Sequence, residues 1–110
     1  MKDNAHDMIL LFDFFGELLS DRQKEYFDLY YNEDLSLAEI AQLNGITRQG
    51  VRDAIVHAKQ TLLAMEEKTG LLQRFRIYKK DAERLEKIAD TLHDEVVSQE
   101  LRGIAARLRE

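Results

Sequence analysis

Asn44-Gly45 interrupts a helical pattern that runs from position 36 to position 62, and this interruption constrains the chain more than any other feature. Ser36 and Glu39, three residues apart, form a capping box, so a helix is expected to open at Leu37. Leu37, Ile40, Ala41 and Leu43 give that helix an apolar face. Gly45 then supplies the left-handed backbone that a tight helix-to-helix turn requires. Ile46 is expected to plug the corner, and Thr47 to cap the next helix. On that second helix Val51, Ala54, Ile55, Ala58 and Leu62 share one side at the 3.6-residue period. Ala41 is small, as a close crossing of the two helices demands. A short helix, a glycine corner and a second helix that opens on polar side chains together describe a helix-turn-helix spanning 36–63. The alternative is an ordinary antiparallel helix pair.

Composition supports helices throughout. Proline and tryptophan are absent and glycine occurs five times in 110 residues, which leaves few turns and long periodic stretches. The expected fold class is therefore all-α: a helix-turn-helix core followed by an amphipathic helical extension. Absence of cysteine excludes disulfides and thiolate metal sites and fits a reducing compartment. With no long apolar run and no basic, cleavable N-terminal segment, the chain is expected to be cytoplasmic, without a membrane partner.

Residues 1–70 are expected to form the helical domain. A first helix over 5–19 carries Met8, Leu11, Phe12, Phe15, Leu18 and Leu19 on a broad face. Ile9, Leu10 and Phe14 lie outside that face, so the helix is apolar nearly all round and calls for deep burial or a second chain. Ser20 and Gln23 make another capping box, opening a helix to about Tyr31 that packs Tyr26, Phe27, Leu29 and Tyr30. Asn32-Glu33-Asp34 reads as a loop. The second helix of the motif should reach about Lys68, with Thr69-Gly70 as terminator. Residues 71–110 differ in character. Their charges alternate in sign around a stripe of Leu85, Ile88, Ala89, Leu92 and Val96, continued by Leu101, Ile104, Ala105 and Leu108 after a break near Asp94 to Ser98. Such a stripe must cover something, either the same chain or a homodimer partner.

The net charge of −5 is unusual for a nucleic-acid binder, whose affinity rests on neutralising phosphates. Local charge differs: residues 36–64 hold Arg48, Arg52 and Lys59 against Glu39 and Asp53, a net of +1. With Val51 at the centre of the buried side, Gln49, Asp53, Val56 and Gln60 point outward, flanked by Arg52 and Lys59. Arg48 in the first turn can reach a phosphate or a base. Thr47 and the open amides of the helix start suit phosphate oxygens. Arg52 is suited to guanine O6 and N7, and Gln49 to adenine N6 and N7. Candidate nucleic-acid-binding residues are thus Thr47, Arg48, Gln49, Arg52 and Lys59. Asp53 and Val56 argue the other way, since phosphate repels the first and the second offers apolar contact only. Arg74, Arg76, Lys79 and Lys80, interleaved with Phe75 and Tyr78, form a second basic run that reads as a solvated helix start, with binding to an RNA backbone as the alternative.

Other chemistry has no footing in the sequence. His6, His57 and His93 stand singly, without metal-site spacing, and there is no phosphate-cradling glycine loop. Ser20, Ser36 and Ser98 read as caps or helix-surface residues, with no base arranged beside them. The expectation is a non-enzyme that needs no metal and no cofactor.

Two families share these residues. The stretch LSDRQKEYFDLYYNEDLSLAEIAQLNGITRQGVRDAIVHAKQTL, Leu19 to Leu62, resembles the C-terminal promoter-reading domain of bacterial sigma factors. MILLFDFFGELL, LYYNEDLSLAEIA and TRQGV followed by Asp53 resemble the small bacterial YlxM family over residues 8 to about 76. Members of that family are helix-turn-helix regulators linked to the signal recognition particle by gene proximity to the particle's GTPase and its receptor. Arg52 stands where close relatives are expected to carry an aromatic residue, a sigma-like departure. The resemblance implies a DNA-binding regulator with a part in protein targeting. A second implication is a protein-interaction module that binds the targeting GTPase or its RNA without reading DNA. A third is docking on RNA polymerase.

Overall fold

Side-chain oxygens of Ser20, Ser36, Thr47 and Asp94 each open a helix, and these four caps set the architecture. The structure, a computed structural model, describes residue 2 and residues 4–110. Those residues form six α-helices and no strand: α1 (Ala5–Phe15), α2 (Asp21–Tyr31), α3 (Leu37–Asn44), α4 (Arg48–Thr69), α5 (Leu71–Thr91) and α6 (Glu95–Leu108). They divide into two compact units, Met1–Gly70 and Leu71–Glu110.

In the first unit, both expected capping boxes are formed. Ser20 Oγ accepts from the Gln23 amide at 3.2 Å, and Gln23 Oε1 accepts from the Ser20 amide at 3.2 Å. Ser36 and Glu39 exchange the same pair of bonds at 3.0 Å each. The first helix is shorter than the 5–19 span expected from sequence. It stops at Phe15 and continues as a 3₁₀ turn, Gly16–Leu18, before Leu19 extends into the Ser20 cap. Gly16 is a poor helix residue, and a Cβ there would lie 3.3 Å from the Phe12 ring. That ring stacks on Phe27 at 4.7 Å, and Phe27 stacks in turn on Tyr31 at 4.4 Å. The turn rotates Leu18 off the expected face, leaving it 57% exposed, while Met8, Leu11, Phe15 and Leu19 are buried.

Helix α4 is the hub of this unit and packs against α1, α2 and α3. Its inner side, Val51, Ile55, Ala58 and Leu62, is wholly buried, with Phe27, Leu11 and Ile40 among the side chains closed from solvent with it. Each large aliphatic group on that side contributes roughly 1.5–3 kcal/mol from apolar burial. One sequence expectation fails on α3: Leu43 is 69% exposed. Ile40 and Ala41 centre the buried face, and a 100° step per residue carries position 43 beyond its edge. Asn44 takes the place on that face and donates to the Ile40 carbonyl at 2.8 Å.

The second unit is an antiparallel hairpin. Asp94 Oδ1 accepts from the Val96 and Val97 amides at 3.0 and 3.2 Å, so α6 begins at Glu95, at the leading edge of the expected break. Near the turn Ser98 pairs with Ala89 and Arg102 with Asp90, and at the far end of α6 Arg109 reaches back to Glu86, as antiparallel helices do. The expected stripe is only partly buried. Ala82, Ala89, Ser98 and Ala105 are buried, whereas Ile88, Leu92 and Val96 are exposed. Small side chains let the two helices approach closely, and that displaces the larger ones to the flank. Ser98, expected as a cap or surface residue, is buried instead, its hydroxyl donating to the Ala89 carbonyl at 3.0 Å. The same carbonyl accepts from the Leu92 amide at 3.3 Å, so the hydroxyl adds a second, shorter bond at the end of α5.

Candidate nucleic-acid interface

The corner between α3 and α4 is built by Gly45. Its φ of 64° and ψ of 32° are left-handed, and the Ile46 amide closes back on the Ala41 carbonyl at 3.2 Å. That six-residue closure belongs to a Schellman turn and satisfies an end carbonyl of α3. Thr47 is then extended (φ −78°, ψ 153°), and its hydroxyl oxygen accepts from the Gly50 amide at 2.9 Å. The Arg48 and Gln49 amides ahead of it lie in the first turn, where a helix has no acceptor of its own to offer. They point out of the helix start together with the positive end of its dipole.

Gly50 was not singled out by sequence reasoning. A Cβ at this position would sit 3.1 Å from Thr47 Oγ1 and 3.8 Å from Ile46 Cδ1. The cap and the corner therefore close over a position where only hydrogen fits without displacement. Its signal in the sequence is a glycine three residues after a Thr cap, inside an otherwise unbroken helical pattern.

Thr47, Arg48, Gln49 and Arg52 are all exposed, and Lys59 is half-buried three turns along α4. Arg48 and Arg52 are one turn apart and lie about 40° from each other around the helix at 100° per residue. Neither guanidinium has a hydrogen-bond or ion partner among the described residues. Gln49 is different: its Nε2 donates to Asp53 Oδ1 at 2.8 Å. The i,i+4 spacing of an amide and a carboxylate is the sequence signal for such a bond. Gln49 reaches a base only by leaving Asp53 or by carrying it along. Val56, on the same outward side, is half-buried. Arg74, Arg76, Lys79 and Lys80 are exposed on the first turns of α5, in the other unit. His6, His57 and His93 are exposed, and no group of three His, Cys, Asp or Glu side chains among the described residues is placed to hold a metal ion. No helix among those residues is long and apolar enough to cross a membrane.

An all-helical chain with two capped helices around a left-handed glycine defines the helix-turn-helix class. The comparison with known proteins narrows it. A family model described as "Putative helix-turn-helix protein, YlxM / p13 like" matches residues 2–104, and the chain belongs to this family. It is 50% identical over 70 residues to a UPF0122 protein of Desulforamulus reducens, covering 64% of this chain and 60% of that one. Over 85 residues it is 44% identical to a UPF0122 protein of Caldanaerobacter subterraneus, covering 77% and 73%. A UPF0122 protein of Halalkalibacterium halodurans aligns at 36% identity over 108 residues, 98% and 96% of the two chains. The stronger identities thus fall on a segment that spans about three-fifths of the Desulforamulus protein's length.

Proposed function

We propose that this protein is a non-enzymatic, cytoplasmic DNA-binding regulator that sets the first turns of α4 in the major groove and works as a homodimer. The observation that carries the reading is the pair Arg48 and Arg52, exposed, one turn apart and without partners among the described residues, at the start of a capped helix. Arg52 reads a guanine edge, Gln49 an adenine edge, and Arg48 with Lys59 holds the phosphate backbone. Thr47 and the first-turn amides take a phosphate oxygen. Because the chain carries a net charge of −5, one copy binds weakly, and two half-sites about one helical turn (~34 Å) apart supply the needed affinity. A mobility-shift titration over a salt series tests this. Arg52→Ala is expected to cost roughly 1–3 kcal/mol on a selected site. Arg48→Ala is expected to weaken binding to all sequences and to reduce the salt slope by about one. Binding unchanged in both variants, or wild-type binding that ignores salt, rejects the reading.

A second reading keeps the sigma-like motif but uses it on protein or RNA of the signal recognition machinery, as the family resemblance implies. It is favoured by the acidic side of the first unit. Asp21, Lys24, Glu25 and Asp28 surround Phe12 in an open depression of about 380 Å³, and Leu18 is exposed at the neighbouring turn. Such a surface suits a basic, apolar partner. Purified targeting GTPase and its RNA, titrated separately, decide it; no binding and no change in GTP hydrolysis removes this reading.

A further inference from the structure

Ile77, Asp81, Arg84 and Ile88 recur on α5 at spacings of four, three and four, the interval that keeps side chains on one seam. All four are exposed, the isoleucines to 48% and 41%. Asp81, Arg84, Leu85 and Ile88 line an open depression of about 340 Å³, which Leu108 of α6 completes. Neighbouring carboxylates of the hairpin are engaged: Glu86 accepts two bonds from Arg109 at 3.1 and 3.0 Å, and Asp90 accepts one from Arg102 at 2.7 Å. Asp81 and Arg84 have no such partner among the described residues.

We propose that this seam is a homodimer interface in which α5 packs antiparallel on α5 of a second copy, about a two-fold axis passing between Asp81 and Arg84. The order apolar, acid, base, apolar is its own complement when reversed. About that axis Asp81 faces Arg84 of the second copy and Arg84 faces Asp81, while Ile77 faces Ile88 at both ends. A closed two-fold contact requires this reciprocity, because each residue must suit the one that occupies its mirror register. A parallel pairing would set Asp81 against Asp81 and Arg84 against Arg84. An unrelated partner would have no reason to match a palindromic charge order. Leu85 and Leu108 beside the seam then receive apolar groups of the other copy, giving cover to side chains that the small-residue packing of α5 on α6 leaves outside.

The proposal rests on the dimeric reading above but is tested without DNA. Sedimentation equilibrium of the full chain over a concentration series measures association of the wild type, Asp81→Arg, Arg84→Asp and the double exchange. Both residues are exposed, and circular dichroism of each variant reports whether the helices persist. The wild type is expected to dimerise. Each single variant sets like charges together twice and is expected to raise the dimer dissociation constant roughly a hundredfold. The double exchange restores dimerisation, and an equimolar mixture of the two single variants, one seam all basic and the other all acidic, forms a heterodimer. A monomeric wild type overturns the proposal. So do single variants that dimerise like the wild type, or a mixture that stays monomeric. Dimerisation that follows this pattern in a protein that does not bind DNA supports the seam and removes only the DNA reading.

Discussion

Glu39 shows how much of the motif depends on one side chain. The Ser36 amide donates to its carboxylate, the Ser36 hydroxyl adds a smaller contribution, and together they hold its pKa below the ordinary glutamate value. A lowered pKa in the folded state means that the cap stabilises α3 fully above the ordinary glutamate range and loses that contribution as pH falls through the lowered value. Protection of the Ser36 amide, its exchange rate set against the intrinsic rate at the same pH, is therefore expected to fall on acidification. Glu39→Gln, which keeps an acceptor but cannot titrate, should flatten that dependence; an unchanged profile would contradict the assignment. Gly45 offers a second test. A Cβ there meets nothing within 4 Å, so Gly45→Ala is a test of backbone strain alone. The left-handed φ of 64° is expected to cost about 1–2 kcal/mol in chemical denaturation. Asp53 offers a third. Asp53→Asn removes a negative charge from the outward side of α4 while leaving an acceptor for Gln49. Binding to mixed-sequence duplex should tighten several-fold at low salt and converge with wild type as salt rises.

Among the elements, α4 serves two purposes that the helical period keeps apart. Its inner residues hold α1, α2 and α3 together, and its outer first turns carry Arg48 and Arg52. Ile55→Ala, at the fully buried centre, is expected to cost roughly 2–5 kcal/mol in thermal or denaturant unfolding. Loss of stability there should weaken DNA binding only as far as the folded fraction falls. The hairpin depends on a different balance. Ser98→Ala removes the buried hydroxyl that caps the Ala89 carbonyl, and a loss of about 1 kcal/mol is expected in the melting of the second unit. A neutral result would mean that the Leu92 amide, 3.3 Å from the same carbonyl, satisfies it alone.

For the whole molecule, the caps at Ser20, Ser36 and Thr47 and the turns at Gly45 and Gly70 were readable from sequence because Ser-x-x-Glu, Ser-x-x-Gln, Thr and Gly act within one turn of themselves. The Asp94 cap showed only as a break in the stripe. Val51, Ile55, Ala58 and Leu62 were readable because burial and the helical period coincide over a long segment. What sequence hid was set by packing between elements. Leu18 left its face where the helix gives way to a 3₁₀ turn at Gly16, against which the Phe12 ring packs closely. Leu43 lies beyond the edge of a face that Ile40 and Ala41 centre once packing fixes it. Ile88 and Leu92 fell outside the hairpin core because Ala82, Ala89, Ser98 and Ala105 draw α5 and α6 close together. At the proposed interface, the residue types and spacing pointed to Arg48 and Arg52, while the Gln49–Asp53 bond and the role of Gly50 leave only a spacing in the sequence and depend on side-chain geometry that the spacing does not fix. The most direct measurement is a residue-resolved NMR titration of the full chain with mixed-sequence duplex DNA. If α4 enters the groove, the backbone amides of residues 46–53 shift or broaden first, together with the Arg48 and Arg52 side-chain resonances, and recover as salt is added. If the perturbations instead fall on α1, α2 or the hairpin while residues 46–53 stay still, the DNA-reading account of this helix is wrong.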